Sequence, residues 1–488
     1  GEQGVLVMLE ADDIEKKDRP YTFWLYDRNL NLVWTTRHLV PFKFEFSNFY
    51  KSGNSYYFLF QRSEQELAVL SVSLDDGKGR LLEFDNIVKA NIAQFAVLKD
   101  QIYLGGELRN KPFVVHFDPQ NSFAKVLPAI QQIDTYLANI TVDSIYNDRV
   151  LIVLGSRKPR QKLVFFNEYN LRGQLERSFT IENNIDYQLL DFKPYPKNGT
   201  EWLIFGAYAY KNWDKVQGIY VVNLVDPQKE PAIYPYDLAN FKNYFNFYRD
   251  KKKDRILNQV AEAKASGKRK RYSYDWFIHD LQFQNDLIYF SVDVYRPDYE
   301  VRNRGSRGYY DPYRYSSFYS PYDIRSIFGY YYRYDPFAQA RSPQNRRLPS
   351  DYDYRSTFVC AFTGQGKPVL DNTFDLNNRS QRIPSRPTAF HHAGDSLAFF
   401  EFEEGEARYQ RMYRSEERDP ETITSDRNWE RTETDSLQVG ARENENLSFW
   451  YDDHFILSGY QRLRGGGMDN RKVFYLSKIR YAAKTEEE

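Results

Sequence analysis

One short pattern, a polar turn followed by a strand of aromatic and β-branched residues, recurs along the whole chain. The full copies are SGNSYYFLF (Ser52–Phe60), LKDQIYLGG (Leu98–Gly106), YNDRVLIVLG (Tyr146–Gly155), KNGTEWLIFG (Lys197–Gly206), QNDLIYFSVDV (Gln284–Val294), AGDSLAFFEF (Ala393–Phe402) and YDDHFILSGY (Tyr451–Tyr460). A clipped copy, GVLVMLEAD, covers Gly4–Asp12. Asp, Asn and Gly tolerate the left-handed backbone of tight hairpin turns. With the apolar strands that flank it, each copy predicts a four-stranded antiparallel meander.

The spacing of the copies predicts how the meanders assemble. The turns at Asn54, Asp100, Asp148 and Asn198 are separated by roughly 46 to 50 residues, within the range of β-propeller blades. A meander this small cannot bury both faces alone, whereas blades packed around an axis can. We therefore predict an all-β fold, a single β-propeller domain over residues 1–488 with eight four-stranded blades. The first blade is expected to lack its innermost strand and the last its outermost. A seven-bladed ring whose two chain ends share one blade is the nearest alternative, and two β-sandwiches come next.

Composition supports this fold and narrows the function. Aromatic residues make up 17% of the chain, with 41 Tyr and 36 Phe, and such side chains favour strands. Lys plus Arg and Asp plus Glu number 67 each, so the net charge gives no reason to expect nucleic acid. No apolar run approaches the roughly 18 residues of a membrane span. The chain starts at Gly1 and not at Met, so either a targeting segment has been removed or the chain was trimmed.

The longest gaps between copies locate two insertions, and the first covers residues 241–274. Within it, Asp250–Ala265 is predicted to be a helix, with Ile256, Leu257, Val260 and Ala261 on one side and Gly267 as its stop. Basic clusters at Lys251–Lys253 and Lys268–Arg271 flank this helix. The favoured interpretation is a solvated helix with charged ends, and the alternative is a patch for an anionic surface or nucleic acid.

The second insertion, residues 295–355, is dominated by Tyr, Arg, Ser, Gly and Pro and has almost no aliphatic residues. No core of its own is expected. Tyr and Arg supply much of the binding energy at protein interfaces, so we predict a partner-docking loop. The candidate partner-binding residues are Tyr309, Tyr310, Tyr313, Arg314, Tyr315, Phe318, Tyr319, Tyr322, Phe328, Tyr330, Tyr331 and Tyr332. A loop folded onto its own propeller is the first alternative, and nucleic-acid binding by base stacking is the second. A third, highly charged excursion at 403–436 is interpreted as solvated hairpins without a specific role.

No catalytic pattern is present in the sequence. The six histidines (His38, His116, His279, His391, His392 and His454) have no metal-ligand spacing, and no nucleophile elbow or P-loop occurs. They are interpreted as isolated histidines of strands or turns, and Cys360, within TFVCAF, as a small buried residue. We predict a non-enzymatic protein with no catalytic, cofactor or metal site. The alternative is a propeller enzyme, or a carbohydrate- or small-ligand-binding protein, with its site in the central channel.

Several features together resemble the periplasmic β-propellers of the Bacteroidota. They are the blade pattern, the segment YDRNLNLVW (Tyr26–Trp34), the single cysteine and the Tyr-rich insertions. The tripeptides Asp143–Ile145, Asp395–Leu397 and Asp435–Leu437 resemble the O-glycosylation acceptor of exported proteins in that phylum. YDRNLNLVW also resembles blades of quinone-dependent dehydrogenases, although only one copy here ends in Trp.

Within that group, the chain is similar to the plug subunit of the type IX secretion translocon. The resemblance implies a periplasmic protein associated with the outer membrane, whose partner is a large outer-membrane protein or translocon subunit. It also implies that the protein closes the secretion channel until a substrate-loaded partner replaces it. No nucleic-acid partner and no transmembrane segment are expected.

Overall fold

The structure is a computed structural model that describes most of the chain. The described residues are 4–298, apart from 12–13, 64–65, 86–87, 91, 131–133, 144, 157–162, 183–186 and 211–214; 351–413, apart from 382–386, 394–395 and 404–405; 421–425; and 438–480, apart from 453 and 465–469.

The described strands form eight antiparallel sheets that follow one another along the chain, here called blades 1 to 8. Blade 1 contains β1 (Val5–Glu10), β2 (Asp18–Tyr26) and β3 (Leu32–Pro41); blade 2 contains β4 (Glu45–Ser52), β5 (Ser55–Gln61), β6 (Glu66–Ser73) and β7 (Gly79–Asp85). Blade 3 contains β8 (Ile92–Leu98), β9 (Gln101–Leu108), β10 (Lys111–Asp118) and β11 (Phe123–Val126); blade 4 contains β12 (Thr135–Val142), β13 (Arg149–Ser156), β14 (Leu163–Asn170) and β15 (Leu175–Glu182).

Blades 5 and 6 differ from the others in having a first strand that is split into two pieces. Blade 5 contains β16 (Tyr187–Leu189), β17 (Lys193–Pro196), β18 (Trp202–Tyr210), β19 (Gly218–Leu224) and β20 (Ile233–Asp237); blade 6 contains β21 (Asp275–Ile278), β22 (Gln282–Gln284), β23 (Leu287–Asp298), β24 (Asp351–Phe362) and β25 (Pro368–Gln381). Blade 7 contains β26 (Thr388–Ala393), β27 (Ser396–Glu403), β28 (Glu406–Tyr413) and β29 (Glu421–Ser425); blade 8 contains β30 (Gln438–Tyr451), β31 (His454–Arg464) and β32 (Asn470–Arg480). Strands β28 and β29 lie within the charged segment 403–436.

The recurring turns have the backbone that the sequence predicts. Lys99 and Asp100 join β8 to β9 with φ angles of 47° and 66°, and Asn285 and Asp286 join β22 to β23 with φ angles of 50° and 60°. Two consecutive left-handed residues form the turn that matches the right-handed twist of paired strands. In blades 3 and 6, this polar pair therefore forms the tight turn that begins the second long strand.

The core lies between the blades. Each hydrophobic cluster joins two consecutive sheets, from blades 1 and 2 through to blades 7 and 8. Phe23 of blade 1 packs against Phe58 of blade 2, with ring centroids 5.0 Å apart. Phe400 of blade 7 packs against Phe455 of blade 8 at 4.2 Å. This interblade packing explains why the second and third strands are apolar on both faces.

Blades 8 and 1 close the ring. The Tyr451 hydroxyl at the end of β30 donates a hydrogen bond of 3.0 Å to the main-chain oxygen of Arg28, in the turn between β2 and β3. The chain ends form separate sheets of three described strands each. The prediction of an eight-bladed β-propeller is confirmed, and the seven-bladed alternative with one shared blade is not adopted.

The strand order assigns each connection to one end of the ring. First strands of neighbouring blades contact each other, as β4 and β8 do, so they surround the axis. In a four-stranded meander, the first and third turns lie at one end, here called the turn end. The second turn and the connection to the next blade lie at the other, here called the insertion end. Residues 241–274 connect β20 to β21, and residues 299–350 connect β23 to β24, so both insertions are attached at the insertion end.

The first insertion contains one helix, as predicted, and a short 3-10 helix that was not predicted comes just before it. A short 3-10 helix covers Leu238–Asn240, and α1 covers Asp250–Ala265, the range that the sequence gives. Gly267 follows α1 with a φ angle of +66°. No helix in the described part of the chain is both long and apolar enough to cross a membrane.

Candidate functional site

A cleft of about 670 Å³ lies at the insertion end, where the first insertion meets blades 5 and 6. The described residues that line it include six cationic side chains and one carboxylate, that of Asp275. The cationic residues are Lys215, Lys252, Lys270, Arg271, Arg296 and Arg355. Four tyrosines, Tyr248, Tyr272, Tyr274 and Tyr295, also line it. We call this feature the basic cleft.

Three connections of the insertion end bring the lining of the basic cleft together. Lys215 lies on the connection from β18 to β19, in blade 5. Residues 248–274 belong to the first insertion, which joins blade 5 to blade 6. Arg296 lies near the end of β23, and Arg355 near the start of β24. These residues are far apart in sequence and meet because their connections share one end of the ring.

Helix α1 forms one wall of the basic cleft. Ile256 and Val260 pack against the hydrophobic cluster between blades 5 and 6, which fixes the helix on the ring. Leu257 is 38% exposed, and Ala261 is exposed as well. The apolar side of α1 is therefore narrower than the sequence indicates, because only two of the four predicted residues reach the core. Lys252, one turn before Ile256, lies 3.8 Å above the ring of Tyr248.

The tyrosines of the basic cleft form a connected layer. The hydroxyls of Tyr248 and Tyr274 are 2.8 Å apart, and the Tyr272 hydroxyl donates a hydrogen bond of 3.0 Å to Asp237. Burial raises the pKa of both Tyr272 and Tyr274 well above the ordinary value. These hydroxyls therefore stay neutral at physiological pH and keep their protons for hydrogen bonding.

Positive charge is in excess in the basic cleft. The Asp275 carboxylate accepts a hydrogen bond of 2.6 Å from Lys215, so that pair is neutral overall. Lys270 donates to the uncharged side-chain oxygen of Gln259, at 2.6 Å. Arg296 is exposed and forms no ion pair with any described carboxylate, although Asp353 is its partner across the ladder of β23 and β24. Such a lining attracts an anion, and none of its described residues is a histidine or a cysteine.

The sequence analysis singles out some residues of the basic cleft, but it does not predict that they converge at one site. Lys252 lies in the first turn of α1, and Lys270 and Arg271 follow the helix. The sequence analysis interpreted both basic clusters as solvated. Their convergence with Arg296 and Arg355 has no short-range signal, because it depends on which connections share an end of the ring. The residues predicted to bind a partner, from Tyr309 to Tyr332, lie outside the described residues.

One histidine, His279, belongs to a buried hydrogen-bond network, whereas the sequence analysis interprets it as isolated. His279 Nε2 lies 2.6 Å from Asp293 Oδ2, and Thr357 donates a hydrogen bond of 2.6 Å to Asp293 Oδ1. Thr388 of blade 7 donates in turn to Thr357 at 2.7 Å. All four residues are buried, so the network joins the strands of blade 6 to blade 7. No group of three or more potential metal ligands occurs among the described residues.

A second buried network joins blades 4 and 5. Glu168 accepts hydrogen bonds from Arg177 and from the Trp202 indole, each at 2.6 Å. Arg149 lies 3.4 Å from Glu168 and donates to Asp143 at 2.9 Å. Asp143 begins one of the three Asp-Ser-aliphatic tripeptides, and it is fully buried. The Asp143 carboxylate therefore has a structural role, as an acceptor in this buried network.

Charged groups also approach the axis where the first strands of blades 5 and 6 are interrupted. Lys193 of blade 5 forms an ion pair of 2.9 Å with Asp280 of blade 6. Tyr50 belongs to blade 2, on the opposite side of the ring. Burial and the Asp280 carboxylate raise the pKa of Tyr50 to about 12. The Asp280 carboxylate of blade 6 thus acts electrostatically on a residue of blade 2.

Comparison with known proteins adds little beyond the fold. No family model matches the chain, and no curated protein matches it. Among solved structures, the β-propeller domain of the Trilobed protease from Pyrococcus furiosus aligns with a TM-score of 0.35 and 7% identity, over 88% of this chain and 97% of that one. Polysaccharide lyase Uly1 aligns with a TM-score of 0.38 and 10% identity, over 89% of each chain. At these values neither likeness bears on activity, and the eight-bladed architecture rests on the strand pairing of this chain.

Proposed function

We propose that this chain is a non-enzymatic, exported β-propeller that docks on a large outer-membrane protein complex through the insertion end of blade 6. The observation that carries the proposal is the attachment of both insertions at one end of the ring, beside the same blade. Docking needs a rigid support with an adhesive segment, and the interblade core supplies that support. The choice of an outer-membrane translocon as partner, with the propeller plugging its periplasmic side, comes from the sequence resemblance alone.

The stem of the second insertion also favours docking. Strands β23 and β24 each have 12 residues, whereas the second strands of blades 2, 3 and 4 have 7 or 8. Their ladder continues to the pair Asp298 and Asp351. The Tyr- and Arg-rich residues 299–350 therefore start from a paired stem.

The test is to replace residues 299–350 with a short Gly-Ser linker and to purify the tagged protein gently from its own membranes. We expect the full chain to recover a large outer-membrane protein in near-stoichiometric amount, and the shortened chain to recover none. The shortened chain should keep its cooperative thermal unfolding. A Phe123→Ala variant is the control, because Phe123 is a 53% exposed aromatic of blade 3. Undiminished recovery by the shortened chain, or its failure to fold, would contradict the proposal.

A second candidate is a small-ligand site in the central channel, favoured by the pair of Lys193 and Asp280 near Tyr50. Such a protein would bind a polar ligand, such as a sugar acid, in the channel beside Lys193. Screening uronic acids against the full chain and against Lys193→Met tests this. Binding that Lys193→Met removes would favour it, and the absence of binding would exclude this ligand class.

A further inference from the structure

We propose that the basic cleft binds a phosphate ester of a polar, ring-bearing compound, either free or as the headgroup of a lipid. This inference goes beyond partner docking. Every described residue that lines the cleft lies outside 299–350, so variants of these residues test this inference separately from docking.

The size of the cleft favours a small ligand. Pockets that bind small molecules have volumes of about 300 to 1,000 Å³, and the basic cleft has about 670 Å³. Helix α1 bounds it on one side, and the ends of β23 and β24 bound it on the other. A concave site enclosed in this way suits a compact ligand better than the evenly spaced phosphates of a duplex.

The charges of the cleft favour a phosphate. Arg271, Arg296 and Arg355 line one site, and a guanidinium fork matches the oxygens of phosphate. The guanidinium of Arg355 also donates a hydrogen bond to the uncharged side-chain oxygen of Asn378. Lys252 and Lys270 add two ammonium groups whose closest described contacts are an aromatic ring and an amide oxygen. None of these contacts neutralises a cation. Among the described lining residues, the one carboxylate, that of Asp275, is already paired with Lys215.

The uncharged part of the lining favours a ring attached to the phosphate. The rings of Tyr272 and Tyr274 are stacked with an interplanar angle of 21°. Ile256 and Pro297 add apolar surface beside them. The aromatic side chains and these apolar groups suit a ring on the ligand. Inorganic phosphate alone would leave most of this surface unused.

The test is calorimetric titration of the full chain with glucose 6-phosphate, inorganic phosphate and glucose. We expect glucose 6-phosphate to bind, inorganic phosphate to bind at least tenfold more weakly, and glucose not to bind. A flotation assay with vesicles of phosphatidylcholine, with and without a phosphatidylinositol phosphate, tests the lipid-headgroup source. Soluble binding identifies a free ester as sufficient, and binding to the phosphoinositide vesicles alone identifies a lipid headgroup.

Two matched double variants test the position of the site. The first, Lys252→Gln with Arg296→Gln, removes two exposed cations of the cleft. The second, Lys251→Gln with Lys268→Gln, removes two exposed cations of the same insertion that do not line it. We expect the first to weaken binding at least tenfold, a loss of about 1.4 kcal/mol, and the second to change it less than twofold.

Three outcomes would overturn the inference. They are equal weakening by both double variants, equal affinity for inorganic phosphate and glucose 6-phosphate, and binding of neither the soluble esters nor the phosphoinositide vesicles. The chain that lacks 299–350 separates this inference from docking. We expect it to bind the phosphate ester with unchanged affinity even though it loses the partner.

Discussion

The hydroxyl of Tyr451, in blade 8, donates a hydrogen bond of 3.0 Å to the main-chain oxygen of Arg28, in blade 1. The guanidinium of Arg28 lies 4.8 Å from the centre of the same ring, so one side chain makes two contacts across the closing interface. Tyr451 is 8% exposed. This residue is therefore the first place to test how the ring is held closed.

We expect Tyr451→Phe to destabilise the protein by about 1 kcal/mol, through the lost hydrogen bond. Tyr451→Ala should cost about 3 to 5 kcal/mol, because it also removes a buried aromatic ring. Urea unfolding measures both values. Tyr234→Ala is the control, since Tyr234 is 51% exposed on β20 and its loss should cost less than 1 kcal/mol. A Tyr451→Ala effect as small as the control's would mean that this contact does not hold the ring.

The buried carboxylate of Glu168 should be essential to the interface between blades 4 and 5. Glu168→Gln replaces an acceptor that faces Arg149, Arg177 and the Trp202 indole with a group that also donates. Breaking a buried ion pair on one side typically costs about 3 to 5 kcal/mol. We expect the free energy of unfolding in urea to fall by an amount in that range. Glu176→Gln is the control, since Glu176 is exposed on β15, and its effect should be near neutral. Equal effects would show that the network is not stabilising.

His116 should make stability depend on pH. Burial, assisted by the nearby positive charge of Lys125, lowers the pKa of His116 to about 4 from an ordinary value of 6.5. The unfolded chain therefore takes up a proton before the folded chain does. This contribution to stability is complete above pH 6.5 and is lost as the pH falls towards 4.

Replacement of His116 tests that pH dependence. The loss should be on the order of 2 kcal/mol. We expect His116→Gln to flatten the decline in unfolding free energy between pH 6.5 and 4 relative to the unchanged protein. Parallel pH curves for the two proteins would contradict the assignment.

Cys360 should be unreactive in the folded protein. It is fully buried, and burial, with the nearby Asp371, raises the pKa of its thiol well above the ordinary value. The thiolate is the reactive form, so a water-soluble disulfide reagent should modify Cys360 only after unfolding in guanidinium. The unfolded chain provides the reference for complete reaction. Rapid modification of the folded protein at pH 8 would contradict this expectation.

The sequence predicts the architecture well because the fold is made of local repeats. Turn pairs such as Asn285 and Asp286 have left-handed backbones where the pattern indicates them, and α1 has the predicted bounds. The closing contact between Arg28 and Tyr451 has no such signal, because the two residues come from opposite ends of the chain. Interactions between neighbouring residues are readable from the sequence, and this interaction is not.

The basic cleft shows the same limit for function. Lys215, Arg271, Arg296 and Arg355 come from three connections, and their meeting requires knowing which connections share an end of the ring. The alternation of strand direction along each blade would assign every connection to one end of the ring. The position of Lys252, however, depends on how α1 packs on the blades. The partner-binding prediction on Tyr309 to Tyr332 is neither confirmed nor contradicted, since those residues lie outside the described ones.

Because both insertions are attached at one end, the two ends of the ring are not equivalent. At the turn end, tight connections such as Gly53–Asn54 and Lys99–Asp100 leave little beyond the strands. A partner that binds the insertion end fixes the orientation of the propeller axis. Any assembly built on this chain would then have a defined direction, with its channel mouth at the turn end always pointing away from the partner.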